Sequence, residues 1–171
     1  MSATLPASSI VVMGVSAAGK STIAAGLANA LGCDFVDADD LHPAANVAKM
    51  AAGEALTDDD RWPWLDTVGR RLAASQDGVV MACSALRRAY RDRIRREAPD
   101  AVFIHLTASE ELLARRAAAR TGHFMPASLL TSQLALLEHL DDDEVGVVVD
   151  VDADVPTIVG AARDWVVRHA G

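Results

Sequence analysis

The residues with the clearest chemical potential form a glycine-rich octapeptide near the start of the chain. It follows the pattern G-x-x-x-x-G-K-[ST] and consists of Gly14, Val15, Ser16, Ala17, Ala18, Gly19, Lys20 and Ser21. A short apolar run, residues 10–13, precedes it, and a helix-forming stretch follows from Thr22. Glycines permit backbone conformations that turn consecutive N–H groups toward an anion, and the start of the helix adds positive potential. The octapeptide and Thr22 are therefore predicted to bind phosphate, rather than to form an ordinary glycine turn.

Two side chains of the octapeptide suit a nucleotide carrying Mg²⁺. The Lys20 ammonium can reach β- and γ-phosphates, and the Ser21 hydroxyl can ligate the metal ion.

A pair of carboxylates follows the second predicted strand. Asp37 and Asp39 are two residues apart and hence on the same side of an extended chain. Near a phosphate loop, one carboxylate can hold Mg²⁺ or its waters, and the other can accept a proton from an attacking hydroxyl. The alternative is that these acids cap the next helix, for which Asp40 is the better candidate.

Arginines at two predicted helix starts indicate an anionic ligand. Arg61 begins one predicted helix, and Arg87 and Arg88 follow Ser84, the predicted cap of another. A positive charge in the first turn opposes the helix dipole, and a bound anion would offset that cost. Solvent-exposed arginine is the alternative at positions 87 and 88.

A second arginine pair lies in a predicted lid. Arg116 and Arg120 are four residues apart on one helix face, with no acid in pairing position. A triphosphate bound between the two arginines would relieve their repulsion. The alternative is that both lie on a solvent-exposed helix face and bind no ligand. With Gly122 as a hinge, residues 115–135 are predicted to bring these arginines over the transferring phosphate. His123 would contact either substrate or the lid itself.

The elements that position these residues alternate along the chain. Strands are predicted at residues 9–13, 34–37, 79–82, 101–106 and 145–150. Helices are predicted at residues 20–31, 43–52, 61–76, 85–97, 109–121, 126–140 and 155–169. This alternation predicts a three-layer α/β fold with a five-stranded parallel sheet, whose ligands bind at the carboxyl ends of the strands. His105, inside the fourth predicted strand, is expected to be a core histidine with satisfied hydrogen bonds.

Composition narrows the class of protein. The 171 residues, 51% of them hydrophobic, predict one domain over residues 1–171 with a sizeable core. The net charge of −8 argues against a nucleic-acid-coating protein. Cys33 and Cys83 lack metal-site spacing and favour a reducing compartment. No signal peptide and no membrane-spanning apolar stretch are recognised, so a cytoplasmic location without a membrane partner is expected.

These residues together resemble gluconokinase of the small phosphate-loop type, related to shikimate and nucleoside-monophosphate kinases. The matching residues are 14–21, 37–43, Asn46, Lys49, Met50, Gly53, 56–61, 63–65, 82–88, 90–92 and 122–126, extended by 132–134, Leu137 and Glu138. The Asp-Asp-Asp-Arg and Gly-His-Phe-Met stretches are more specific than the phosphate loop. The chain departs from the family at Ala17 and Ala18, where Gly-Ser is usual.

The resemblance implies ATP-dependent, Mg²⁺-assisted phosphorylation of D-gluconate by a homodimer with strand order 2-3-1-4-5. It implies that Asp39 activates the attacking hydroxyl, while Ser21 ligates Mg²⁺ and Asp37 acts through its waters. It implies that Lys20, Arg116 and Arg120 stabilise the transferring phosphoryl group. The polar positions that match the substrate site are Asp39, His42, Lys49, Arg61, Arg87, Arg91 and His123. An arginine fork can hold the gluconate carboxylate through two hydrogen bonds.

Two other functions remain open at this point. One is a kinase of the same fold acting on shikimate, a nucleotide or adenylyl sulfate. The other is a GTPase-type switch, which the absence of an N-K-x-D tetrapeptide disfavours.

Overall fold

Five short parallel strands form a single sheet. The computed structural model describes residues 8–119 and 127–169. The strands are β1 (Ser9–Met13), β2 (Asp34–Asp37), β3 (Val79–Ala82), β4 (Val102–Thr107) and β5 (Gly146–Asp150). Their order is β2-β3-β1-β4-β5, which confirms the predicted topology.

Helices cover both faces of this sheet. Within the described residues they are α1 (Lys20–Leu31), α2 (Ala44–Ala51), α3 (Asp58–Ala73), α4 (Arg88–Glu97), α5 (Glu110–Ala119), α6 (Ala127–Leu136) and α7 (Val155–His169). Short 3-10 turns, Ser16–Ala18 and Ala38–Leu41, follow β1 and β2. None of the described helices is both long enough and apolar enough to cross a bilayer.

The central strand β1 divides the core into two layers, because alternate residues of a strand face opposite sides. Ile10 and Val12 belong to the layer beneath α1 and α7. Val11 and Met13 belong to the layer beneath α3 and α4. All four are buried, as expected for a strand covered on both faces. The predicted three-layer α/β architecture is therefore confirmed.

Helix α4 begins later than predicted. The sequence suggested a helix from residue 85 capped by Ser84, but α4 starts at Arg88 and Arg87 occupies its cap position. Ala85 has a φ of +44°, which a right-handed helix does not accommodate. The predicted capping role of Ser84 is therefore wrong, and Ser84 lies in the loop that follows β3.

The predicted lid is described only at its two ends. Helix α5 ends at Ala119 and α6 begins at Ala127. Residues 120–126, including Arg120 and His123, lie outside the described residues.

Candidate active site

The phosphate loop joins β1 to α1 through two glycines with left-handed φ angles. Gly14 has a φ of +147° and Gly19 a φ of +86°. A Cβ built on Gly14 would lie 2.7 Å from the carbonyl oxygen of Leu106 in β4, so a larger residue would displace that strand. The predicted strand–loop–helix arrangement is confirmed.

The first turn of α1 is suited to an anion. No side chain among the described residues caps this helix, and its first turn contains no acid. The Nζ of Lys20 donates a hydrogen bond to the Val15 carbonyl oxygen at 3.1 Å, across the loop. Backbone N–H groups and an ammonium group thus concentrate positive potential in a protein of negative net charge.

Ser21 and Asp37 place hard oxygen atoms beside this loop. The Ser21 hydroxyl donates to Oδ2 of Asp37 at 2.9 Å, and Oδ1 of Asp37 accepts from the Asp39 N–H at 3.0 Å. Within the described residues, no cluster of three or more metal-ligating side chains forms a cage. A hydroxyl and one carboxylate fit Mg²⁺, which usually keeps several waters and binds substrate phosphates rather than a complete set of protein ligands.

A cleft of about 180 Å³ connects the phosphate loop with the acid pair. Its described lining comprises Ser16, Lys20, Ser21, Asp37, Asp39, Ala82, Cys83, Ser84 and Gln133. Burial is the main cause that raises the pKa of Asp39, and the Asp37 carboxylate raises it further, against the opposing effects of Lys20 and His42. A carboxylate with a raised pKa is a stronger base than an exposed aspartate.

His42 is held rigidly near Asp39. Its ring stacks on Trp64 with centroids 4.1 Å apart, and its Nδ1 lies 3.2 Å from Nδ2 of the buried Asn46. The same Nδ2 donates to the Asp60 carbonyl oxygen, which fixes the orientation of the amide. Burial lowers the pKa of His42, so a neutral ring is favoured, with Nδ1 accepting and the proton on Nε2. That Nε2–H can donate to a substrate hydroxyl.

Lys49, the next predicted substrate residue, has an internal partner. Its Nζ donates to Oδ2 of Asp60 at 2.7 Å. This hydrogen bond is the largest cause that lowers the pKa of Asp60 to about 2. Lys49 remains half-exposed, so a ligand can share it with Asp60.

Arg61 and Arg87 converge on one carboxylate, although they are far apart in sequence. Arg61 donates to Oδ1 of Asp58 at 2.9 Å, and Arg87 donates to Oδ2 at 3.0 Å. The Tyr90 hydroxyl also donates to Oδ1, at 2.5 Å. Both guanidinium groups lie near the Tyr90 ring, at 5.4 and 5.7 Å from its centroid. Two of the three arginines predicted to bind substrate are therefore brought together, around the carboxylate of Asp58.

Arg91 is a structural residue, and its predicted role in substrate binding is wrong. Its side chain is fully buried and pairs with Glu144 at 2.7 Å through Nε and 2.9 Å through Nη2. Its other hydrogen bonds go to the backbone carbonyls of Ala85, Leu86, Glu138 and His139. These partners leave Arg91 no donor to offer a substrate. The neighbouring Arg88 is also engaged, with Asp141 and Asp143.

Arg116 lies on the opposite side of the phosphate loop from Asp39. Its Nη2 donates to the Val151 carbonyl oxygen at 2.8 Å. It lines a second hollow with Ala18, Gly19, Thr22, Ile23, Ala153, Val155 and Ile158. Part of this hollow is formed by the loop after β5, through Ala153. Arg116 is thus not among the described lining residues of the cleft that contains Asp39.

Sequence reasoning left four lining residues of the cleft out of the site, namely Ala82, Cys83, Ser84 and Gln133. Of these, Gln133 of α6 contacts the phosphate loop directly. Its Oε1 accepts hydrogen bonds from the backbone N–H and the hydroxyl of Ser16, at 2.7 and 2.8 Å. Gln133 belongs to the stretch that carries the resemblance, but no spacing rule links a helical glutamine to a loop 117 residues earlier.

The fold and the cleft define the class of the protein. A phosphate loop follows the central strand β1 of a parallel sheet, and an acid pair follows β2 at the same, carboxyl-end side of that sheet. This is the arrangement of a phosphate-loop kinase.

Comparison with known proteins identifies the family within this class. Residues 10–140 match a family model described as an AAA domain. The gluconokinase of Gluconobacter oxydans (strain 621H) is 51% identical over 139 residues, which cover 79% of this chain and 78% of that protein. The crystal structure of a gluconokinase from Sinorhizobium meliloti 1021 gives a TM-score of 0.89 at 48% identity and covers 98% of this chain and 95% of that one. The chain belongs to the gluconokinase family.

A kinase for another acceptor is more distant. The APS kinase of Mycobacterium tuberculosis, solved with AMPPNP and APS, gives a TM-score of 0.66 at 16% identity, covering 94% of this chain and 98% of that one. It shares the fold alone.

Proposed function

We propose that the protein transfers the γ-phosphoryl group of ATP to the terminal hydroxyl of D-gluconate, which gives 6-phospho-D-gluconate and ADP. This reaction would feed gluconate into central carbohydrate metabolism. The observation that carries the proposal is the shared cleft in which Asp39 faces the phosphate-loop residues Lys20 and Ser21.

Asp39, Ser21 and Asp37 would have separate roles in an in-line phosphoryl transfer. Asp39 orients the terminal hydroxyl and takes its proton as the new O–P bond forms and the bond to the β-phosphate oxygen breaks. Ser21 would ligate Mg²⁺, and Asp37 would hold its waters. Mg²⁺ neutralises charge on the β- and γ-phosphates.

Cationic side chains complete the proposed phosphate site. Lys20 lies at the loop, and a phosphate oxygen would replace the Val15 carbonyl as an acceptor for its Nζ. Arg116 would likewise release Val151 to contribute, and Arg120 is proposed on the resemblance alone.

The acceptor is proposed to bind through its anionic end and its hydroxyls. The converging Arg61 and Arg87 would hold the carboxylate, since a partly exposed guanidinium group can exchange an internal acid, Asp58 or Glu138, for a bidentate ligand. His42 and Lys49 would donate to hydroxyls, and His123 stays a prediction.

The proposal extends to the cellular compartment and the partners of the protein. Free thiols at Cys33 and Cys83 suit a reducing cytoplasm. The single domain over residues 1–171, the homodimer, and the lack of a nucleic-acid or membrane partner remain predictions.

ADP release with D-gluconate, measured beside D-galactonate, D-mannonate, shikimate and adenylyl sulfate, tests the proposal. We expect Mg²⁺-dependent ADP release with D-gluconate, with the phosphorus on the terminal oxygen of the product by NMR. A Lys20→Ala variant should lose turnover and keep its fold. A folded protein that is inert toward every sugar acid would overturn the proposal.

A further inference from the structure

Gln133 makes a contact that the proposed reaction does not use. Its Oε1 atom lies 2.7 Å from the backbone nitrogen of Ser16 and 2.8 Å from the Ser16 hydroxyl oxygen. The backbone N–H can only donate, so the atom facing it is the carbonyl oxygen of the amide. One oxygen of α6 therefore occupies two donors of the phosphate loop.

The position of Ser16 identifies which phosphate these donors would meet. Ser16 lines the cleft that contains Asp37 and Asp39, whereas Gly19 and Thr22 line the hollow on the other side of the loop. A triphosphate laid over the loop must run from that hollow toward the acceptor acid. Ser16 therefore lies at the end where the transferred phosphoryl group is held, an assignment that rests on the proposed function of Asp39.

Gln133 and a γ-phosphate compete for the same donors. The Ser16 N–H has a single hydrogen, which one acceptor can use with good geometry. An anionic phosphate oxygen forms stronger hydrogen bonds than a neutral amide oxygen, so it displaces Oε1. In this orientation the phosphates of ADP would stop short of Ser16 and would leave the contact with Gln133 in place.

We propose that Gln133 is a nucleotide-specificity residue whose side-chain oxygen substitutes for an oxygen of the γ-phosphate. ATP displaces this oxygen from Ser16, ADP does not, and the oxygen returns after the phosphoryl group has moved to the acceptor. Gln133 thereby weakens binding of the triphosphate relative to the diphosphate and links α6 to the presence of the γ-phosphate.

Binding of Mg²⁺–AMPPNP and of Mg²⁺–ADP, measured by calorimetry without gluconate, tests the proposal. In Gln133→Ala, the Kd for AMPPNP should fall about threefold to tenfold, the worth of one or two displaced hydrogen bonds, and the Kd for ADP should change less than about twofold. In Gln133→Glu, a charged acceptor holds Ser16 and repels the γ-phosphate, so the Kd for AMPPNP should rise at least about tenfold more than that for ADP. Ala135→Ser, at an exposed position of the same helix, is the control and should leave both constants unchanged.

Two results would overturn the proposal. Equal changes for both nucleotides in Gln133→Ala, with a lowered melting temperature, would make Gln133 a packing residue. Weaker AMPPNP binding with unchanged ADP binding would mean that Gln133 donates to the γ-phosphate instead. Because no gluconate is present, either outcome is independent of the acceptor, which the turnover assay tests separately.

Discussion

The pKa of Asp39 is set by burial and by neighbouring charges of both signs. Burial and Asp37 raise its pKa, and Lys20 and His42 oppose that rise. The net effect raises the pKa of Asp39 above that of an ordinary aspartate and strengthens it as a proton acceptor.

Asp39→Asn should lower kcat by two to four orders of magnitude, since asparagine cannot accept the proton. The protein should stay folded, because residue 39 is exposed and asparagine has nearly the same shape as aspartate. The wild-type kcat/KM should fall as the pH drops through the raised pKa of Asp39, and this acid limb should disappear in the residual activity of the variant. Asp40→Asn, an exposed neighbour, is the matched control. Near-normal turnover of Asp39→Asn would remove this residue from the mechanism.

Arg91 shows where residue-level prediction failed. Arg61, Arg87 and Arg91 all match the family pattern, and local sequence gives no reason to separate them. The difference is Glu144, which lies 53 residues away and reaches Arg91 only once β5 has joined the sheet. Whether an arginine binds substrate or stabilises the fold depends on its burial and on partners that are distant in the sequence. Residue spacing reveals neither.

Arg91→Met should cost about 3–5 kcal/mol in the free energy of unfolding, because it removes the fully buried partner of Glu144 and leaves that acid with the pair to Arg95. Arg93→Met removes a partly exposed pair with Asp66 and should cost about 1 kcal/mol or less. Urea denaturation measures both. A higher KM for gluconate in Arg91→Met at unchanged stability would return Arg91 to the substrate site.

At the scale of elements, the start of α3 connects stability to the site. The Thr57 side chain accepts from the Asp60 N–H at 3.1 Å, and the Asp60 side chain accepts from the Thr57 N–H at 2.9 Å. This capping box starts the helix at Asp58, three residues before the predicted start. It also fixes Asp60 as the partner of Lys49 and Asp58 as the partner of the two arginines.

Thr57→Ala should lower the free energy of unfolding by about 1 kcal/mol, the usual cost of losing a cap. Thr67→Ala lies inside the same helix, where the hydroxyl donates to the Pro63 carbonyl oxygen, and should be close to neutral. Thermal or urea unfolding of the pair separates a capping effect from a general effect of threonine loss. Equal losses in both variants would argue against the capping box.

Strands were easier to predict than helix starts. β1, β2 and β3 have the predicted bounds, because short apolar runs between polar turns leave little choice. The start of α4 could not be foreseen, since it depends on the turn at Ala85, whose carbonyl accepts from the buried Arg91. In the candidate site, the phosphate loop and the acid pair followed from local pattern. The contacts of Gln133 in the cleft, and of Asp58 and Tyr90 at the two arginines, depend on distant elements coming together.

At the scale of the whole molecule, one buried histidine couples stability to pH. His105 is 1% exposed, and no described residue bonds its Nδ1, so the expectation of a fully satisfied core histidine was wrong. Burial is the largest cause that lowers its pKa to about 4, and His139 and Arg91 add to it. As the pH falls below about 6.5, His105 becomes protonated in the unfolded chain but stays neutral in the folded protein. The free energy of unfolding therefore decreases until the pH reaches about 4, where the folded protein is protonated as well.

His105 should therefore remove about 2 kcal/mol of stability between pH 7 and pH 5. His105→Phe should flatten the dependence of the unfolding free energy on pH by that amount, measured by urea denaturation at each pH. Glu144 and Asp60, whose pKa values are lowered to about 2, lose their contributions mainly below this window. If the unfolding free energy of His105→Phe depends on pH as steeply as that of the wild type, then His105 takes up its proton in the folded protein over the same pH range as in the unfolded chain.

The strand order has a consequence for biosynthesis. β1 pairs with β3, with Ser9 opposite Val79, and on its other edge with β4, with Ile10 opposite Val102. On the ribosome, the glycine loop is thus translated well before β3 and β4, the two strands that pair with β1. Until they emerge, β1 remains an unpaired apolar segment. The nascent polypeptide gains a nucleotide-binding cradle only after the fourth strand has emerged, so ATP can stabilise late translation products but not early ones.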